Sequence, residues 1–183
     1  FVAVRTTDLD TVLARIPQHR LADLTLIQNG MISPWLEQRG YGMVTRGVLY
    51  MAVPKRGAQI QMGDPSPFFG PNAAAVTQWF NQLDVPAVVV ERASFQQIEV
   101  EKLLWNCVFG LMCAVTGESV GTLCDSRESD IQRMTRELIT VAAKARGVQL
   151  DPVRVVQGML EYSYTISEYT GRVSDWPFRN GWF

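Results

Sequence analysis

Residues 100–117 read VEKLLWNCVFGLMCAVTG. From Leu103 to Val115 almost every position is apolar, yet Lys102 opens the run and Asn106 sits one helical turn later. Helix positions four apart share a face, so Lys102, Asn106 and Gly110 form one stripe, with Glu99 near its N-terminal end. Leu103, Leu104, Trp105, Val108, Leu111 and Met112 cover the other faces. A helix apolar nearly all round belongs at the centre of its lobe. A buried ammonium or amide without a partner is costly, so the stripe must meet a protein group, water or a ligand. Two readings follow. Either Lys102 snorkels to solvent while Asn106 bonds a backbone group, or the stripe lines a cleft between lobes.

Outward from this helix, Ser94 and Gln97 form a capping box that starts it, and Gly117 supplies a left-handed end. Asp125 followed by Glu128 predicts a second start, and Ile131, Met134, Leu138, Ile139 and Ala142 recur at helical period up to Gly147. Asp151–Pro152 predicts a third helix running to about Tyr164. The tail, TGRVSDWPFRNGWF (170–183), reads as loop, its aromatic residues Trp176, Phe178, Trp182 and Phe183 packing rather than stacking on a cofactor.

Upstream the chain alternates strands and helices. FVAVR (1–5) reads as a buried strand, Asp8 caps a short helix to about Arg15, and Pro17 lies beyond its end. LTLIQNG (24–30) is a strand closed by the turn pair Asn29–Gly30, and residues 32–39 form a brief helix that Gly40 ends. Residues 42–64 predict a hairpin or meander with turns at Pro54 and Gly57. A helix from Pro71–Asn72 and a strand over 85–91 follow. The rhythm is that of an open α/β sheet. The chain thus divides into an α/β lobe, 1–92, and an all-helical lobe, 93–183. An inner strand at the first residue leads to the expectation that sequence precedes Phe1 and that one sheet edge is open or paired with another chain.

The 183 residues, 47% hydrophobic, suffice for one core or for two small lobes. With a net charge of −1 and no basic block interleaved with aromatics, nucleic acid is not the expected partner. No run is apolar enough to span a bilayer without charge. Cys107, Cys113 and Cys124 read as reduced, buried thiols, which places the protein in the cytoplasm. His19 is the single histidine and no CxxC spacing occurs, so no metal site is expected.

QNG (28–30) would put an amide at the carboxyl edge of the sheet, where open sheets bind ligands, although Asn-Gly is also a common plain turn. Ser163 lies near the end of the last helix and Asp175 follows in the tail.

A strand ending in QNGM, a helix opening EKLLWNC and a C-terminal segment with Ser163, Asp175 and Asn180–Gly181 occur in an order that resembles the ketopantoate reductases. These are NADPH-dependent enzymes of pantothenate synthesis that reduce a 2-keto acid to a 2-hydroxy acid. The resemblance spans essentially the whole chain. It implies the C-terminal part of a Rossmann-like domain followed by a helical, 6-phosphogluconate-dehydrogenase-like domain for substrate binding and dimerisation. Lys102 would be the catalytic proton donor. Asn106 and Ser163 would bind the substrate, Ser163 at its carboxylate. Asn29 would help place the lysine and the nicotinamide end of the cofactor, and Arg5 would face the cofactor. Asp175 stands for a glutamate that contacts the substrate and supports the catalytic site. These side chains should converge on one cleft. Gly110 replaces a second asparagine, which implies room in the pocket and one donor fewer. The fingerprint G-x-G-x-x-G is absent, and GYGMVTRG (40–47) is no substitute. The resemblance therefore implies a fragment of a reductase, inactive and unable to bind NADPH by itself, with a small 2-keto acid as the parent's substrate and a homodimer as its assembly. The alternative is a non-catalytic dimerisation or interaction module that keeps the fold.

Overall fold

In chain order the α/β lobe runs α1 (Leu9–Leu13), β1 (Thr25–Leu26), α2 (Ser33–Gln38), β2 (Thr45–Gly47), β3 (Met51–Ala52), β4 (Gln61–Met62), β5 (Ser66–Phe69), α3 (Ala73–Gln82) and β6 (Ala87–Val89). The structure is a computed structural model that describes residues 1–53 and 57–183, so the turn expected at Pro54 lies outside it. The main sheet has the order β1-β2-β5-β6, parallel at both flanks and antiparallel between β2 and β5, while β3 and β4 form a separate hairpin. Of the hairpin or meander expected over 42–64, the hairpin is present, while β2 joins the main sheet instead of extending it into a meander. Phe68, wholly buried in β5, packs with Val76 and Phe80 of α3 on one face of the sheet. Leu9, Leu13, Ile32 and Leu36 pack with Leu26 in a second cluster.

Two strand readings need correction. FVAVR is not a strand: only Val2 pairs, by a single parallel bridge to Leu26. The reason is the Gln28 side chain, whose Nε2 donates to the carbonyls of Val2 at 2.8 Å and Val4 at 3.2 Å, supplying from a side chain what a ladder would supply. The strand over 85–91 shortens to β6, an edge strand on which Val88 and Val89 remain largely exposed.

The helical lobe consists of α4 (Arg92–Thr116), α5 (Val120–Arg146) and α6 (Pro152–Thr165). Ser94 and Gln97 do not form the capping box. The extended Glu91 precedes the helix, and Gln97 instead reaches across to donate to the carbonyl of Gln149 at 3.1 Å. Gly117 ends α4 at φ +76°, as expected. The start predicted at Asp125 coincides with a kink at which two helical stretches of α5 meet. Ser119 caps α5 by accepting from Thr122 N–H, and Arg127 interrupts it at φ −137°, ψ 29°. Asp151 caps α6 through the Val153 N–H at 2.9 Å, with Pro152 in the first turn.

The largest apolar cluster surrounds α4 and takes in Met31 and Ala52 from the α/β lobe, so the lobes share one core. A buried ion pair crosses the same junction. Arg46 of β2 donates to Glu99 of α4 at 2.9 Å, and Ser33 of α2 donates to the same oxygen at 2.8 Å. The tail then folds back over both lobes in short 3-10 turns, Trp176–Phe178 and Asn180–Trp182. Phe178 accepts from Met31 N–H at 2.7 Å. Gly30 sits at φ +94°, and a Cβ there would meet the Phe178 oxygen at 2.7 Å, so the QNGM turn needs its glycine for this close approach. Among the described residues no single helix is long and apolar enough to cross a membrane.

Candidate functional site

Lys102 does not snorkel. Its Nζ lies inside an aromatic box, 3.9 Å from the ring centre of Tyr162, 4.6 Å from that of Trp105 and 4.8 Å from that of Tyr50. The rings come from α6, α4 and the residue before β3, so the box closes only when both lobes are folded. No hydrogen bond or ion pair to the amine occurs among the described residues, and burial, helped by the nearby Arg179 guanidinium, lowers its pKa from 10.5 to about 7. The three ring faces favour the cation without offering a proton acceptor.

This amine opens on a cavity of about 130 Å³ whose wall also carries Asp64, Glu101 and Arg154. Burial raises the Glu101 pKa, opposed by Arg154. Glu101, Arg154, Val155 and Gly158 also border a wider cleft of about 470 Å³, so the cavity has a polar forecourt towards solvent.

The other expected site residues divide. Arg5, Asn29 and Asp175 come together with Arg179 around a second cavity of about 220 Å³. Asp175 is held in the left-handed region at φ 48° and faces Arg179 at 3.8 Å. Arg179 thereby stands between the two cavities, on the wall of one and close enough to lower the Lys102 pKa in the other. Asn106 is buried with its Nδ2 unpaired. Nearby, Asn180 donates to the carbonyl of Cys107 at 3.1 Å, and its Oδ1 is also unpaired. Ser163 is wholly buried, and its hydroxyl is used inside the lobe: it accepts from the Trp105 indole at 2.9 Å and donates to the Met159 carbonyl at 2.8 Å. Neither Asn106 nor Ser163 borders the two cavities.

Gly110 corrects an expectation. No pocket opens there, because the tail lies against it: a Cβ on Gly110 would stand 2.9 Å from the Arg172 oxygen, and Gly171 packs on the same spot. The missing amide is replaced by backbone. Glu99, the fourth member of the stripe, faces Arg46 instead of a ligand. All three cysteines are buried free thiols, with burial raising Cys107 to about 12 and Cys124 to about 11. Among the described residues no three His, Cys, Asp or Glu side chains gather as a metal site.

The family model described as ketopantoate reductase PanE/ApbA C terminal matches residues 94–173. The chain is similar to that family over this segment. The matched segment begins within the first turn of α4 and includes Lys102, Asn106 and Ser163. No curated protein sequence matches the chain. Among solved structures, D-mandelate dehydrogenase with NADH is similar over 98% of this chain and 68% of its own, at 14% identity and a TM-score of 0.76. A PanE/ApbA family ketopantoate reductase from Ralstonia eutropha JMP134 is similar over 98% of this chain and 65% of its own, at 20% identity and a TM-score of 0.72. The 2-dehydropantoate 2-reductase from Geobacter metallireducens GS-15 gives 92% and 60%, 18% identity and a TM-score of 0.69. At these identities the likeness is one of fold, a partial Rossmann-like part with a helical C-terminal domain, and the chain spans 60% to 68% of those structures.

Tyr50, Tyr162, Arg154 and Arg179 escape sequence reasoning. Each is far from Lys102 in the chain and carries no spacing signal. Trp105 is the exception, standing three residues from Lys102 on the same helix, where such pairs meet.

Proposed function

We propose that the chain is the substrate-binding part of an NADPH-dependent reductase that converts a small 2-keto acid to a 2-hydroxy acid, with Lys102 as proton donor. The observation that carries this reading is the unpaired Lys102 amine facing a cavity from within an aromatic box. As a mere scaffold, a buried amine without an acceptor would cost stability for no return, which disfavours the non-catalytic module.

Bound nicotinamide supplies the hydride. Arg5 and Asn29, with the Arg179 guanidinium, offer that cofactor a donor-rich wall on the second cavity. The orphaned Gln28 Oε1 behind them is an acceptor of the kind a carboxamide needs. Hydride addition to a ketone builds negative charge on oxygen. The Lys102 ammonium stabilises that charge and then yields its proton, a task suited to a group titrating near neutrality. Arg154, on the same cavity, pairs with the substrate carboxylate. Asp175 holds Arg179 in place. Ser163 acts on substrate through Trp105, whose indole it fixes. The assembly is a homodimer in the cytoplasm, and the chain alone binds no NADPH.

In the full-length protein, Lys102→Ala should lower 2-keto acid turnover about 10²–10³-fold while leaving NADPH affinity unchanged. Full activity in that variant would overturn the mechanism. Saturable micromolar NADPH binding by residues 1–183 alone, measured by calorimetry, would overturn the cofactor assignment.

A further inference from the structure

We propose that Lys102 also acts as a nucleophile, condensing with the carbonyl of a small aldehyde or 2-keto acid held in the 130 Å³ cavity to form an imine. Three features carry this. The amine is free of hydrogen-bonding partners among the described residues, so its lone pair is not committed. Its surroundings are rings of Tyr50, Trp105 and Tyr162, which keep water from an imine once formed. The neighbouring residue, Glu101, places a carboxyl group on the same wall, and Arg154 can hold a carboxylate there.

The step balances without a further reagent. The Nζ lone pair attacks the carbonyl carbon, and the proton lost from nitrogen passes to the oxygen, giving a carbinolamine. Protonation of that hydroxyl by the Glu101 carboxyl releases water as the carbon–nitrogen double bond forms, and solvent restores the Glu101 proton. The charged groups facing the amine are Asp64 beyond β4, Glu101 on α4, Arg154 on α6 and Arg179 from the tail. The last of these and burial keep a large share of Lys102 unprotonated at pH 7, the state in which lysine is nucleophilic.

An internal control is built into the chain, which contains only three lysines, Lys55, Lys102 and Lys144. Lys144 is exposed on α5. The folded chain would be incubated with pyruvate and sodium cyanoborohydride at pH 7, and the reduced adduct located by peptide mass spectrometry. Lys102 should be labelled at least about ten times faster than Lys144, since an ordinary lysine is almost wholly protonated there. Glu101→Gln should slow labelling of Lys102 and leave that of Lys144 unchanged. Labelling should also fall as pH drops below 7. Equal labelling of the lysines, or an unlabelled Lys102 in a chain with native circular dichroism, would overturn the proposal. Neither result touches the reductase reading, which needs no covalent bond, and loss of turnover in Lys102→Ala tests that reading by itself.

Discussion

At the scale of single residues, Lys102 ties stability to pH. Its folded pKa lies below the unfolded one, so between about pH 7 and 10 the unfolded chain binds a proton that the folded chain does not. Stability from this residue therefore rises with pH across that window, and the full cost of burial is felt below pH 7. Lys102→Met should stabilise the fold by a few kcal/mol at pH 6, with the gain shrinking by pH 9. Urea titrations of both proteins at the two pH values check this, and an equal difference at both would refute it. Ser163 gives a second expectation. Ser163→Ala removes the acceptor of the buried Trp105 indole, which should cost about 1–3 kcal/mol and loosen one wall of the box. Ser163→Cys should recover little, since sulfur accepts weakly.

Among the elements, the helical glycines Gly110 and Gly158 should behave oppositely. Gly110 in α4 is crowded by the backbone of Gly171 and Arg172. Gly110→Ala should therefore displace the tail and destabilise, although alanine is the better helix former. Gly158 in α6 borders both the Lys102 cavity and its forecourt, and a methyl group added there would meet nothing within 4 Å. Gly158→Ala should stabilise by about 0.5–1 kcal/mol and, on the reductase reading, narrow the approach for bulky 2-keto acids more than for small ones. Thermal melts of the two variants, shifting in opposite directions, are the check. What could be read in the sequence follows from locality. Asp151–Pro152 marks α6 correctly because cap and first turn are neighbours, and the polar stripe of α4 marks its buried face because helix period is local. FVAVR misleads because a side chain far along the sequence, Gln28, takes the carbonyls a strand would use. Asp125–Glu128 marks a real helix start for the same reason as Asp151–Pro152, since a second helical stretch begins at the kink at Arg127. The aromatic box itself was illegible, since Tyr50 and Tyr162 meet Lys102 only through tertiary folding.

For the molecule as a whole, the shared core and the Arg46–Glu99 pair make the lobes one unit. Met31 and Ala52 are buried against α4 with the helical residues, so calorimetry should record one cooperative transition for the chain. Two separated transitions would contradict that continuity. Glu99→Ala leaves the buried Arg46 charge uncompensated and should cost about 3–5 kcal/mol. The double replacement Arg46→Met with Glu99→Leu should restore most of that loss, because apolar residues of similar volume can replace such a pair.

The same pair constrains how the sequence can change over time. A folded domain holds only about 5–15 kcal/mol in reserve, and either partner lost alone consumes a large part of it. Exchange of the pair for an apolar one is open only to a lineage that has first gathered surplus stability elsewhere. Arg46 and Glu99 are 53 residues apart, in different lobes, yet substitutions at them are accessible only together or in a protected order. The junction between sheet and helix is thus a place where history, as much as present energetics, decides which residues are found.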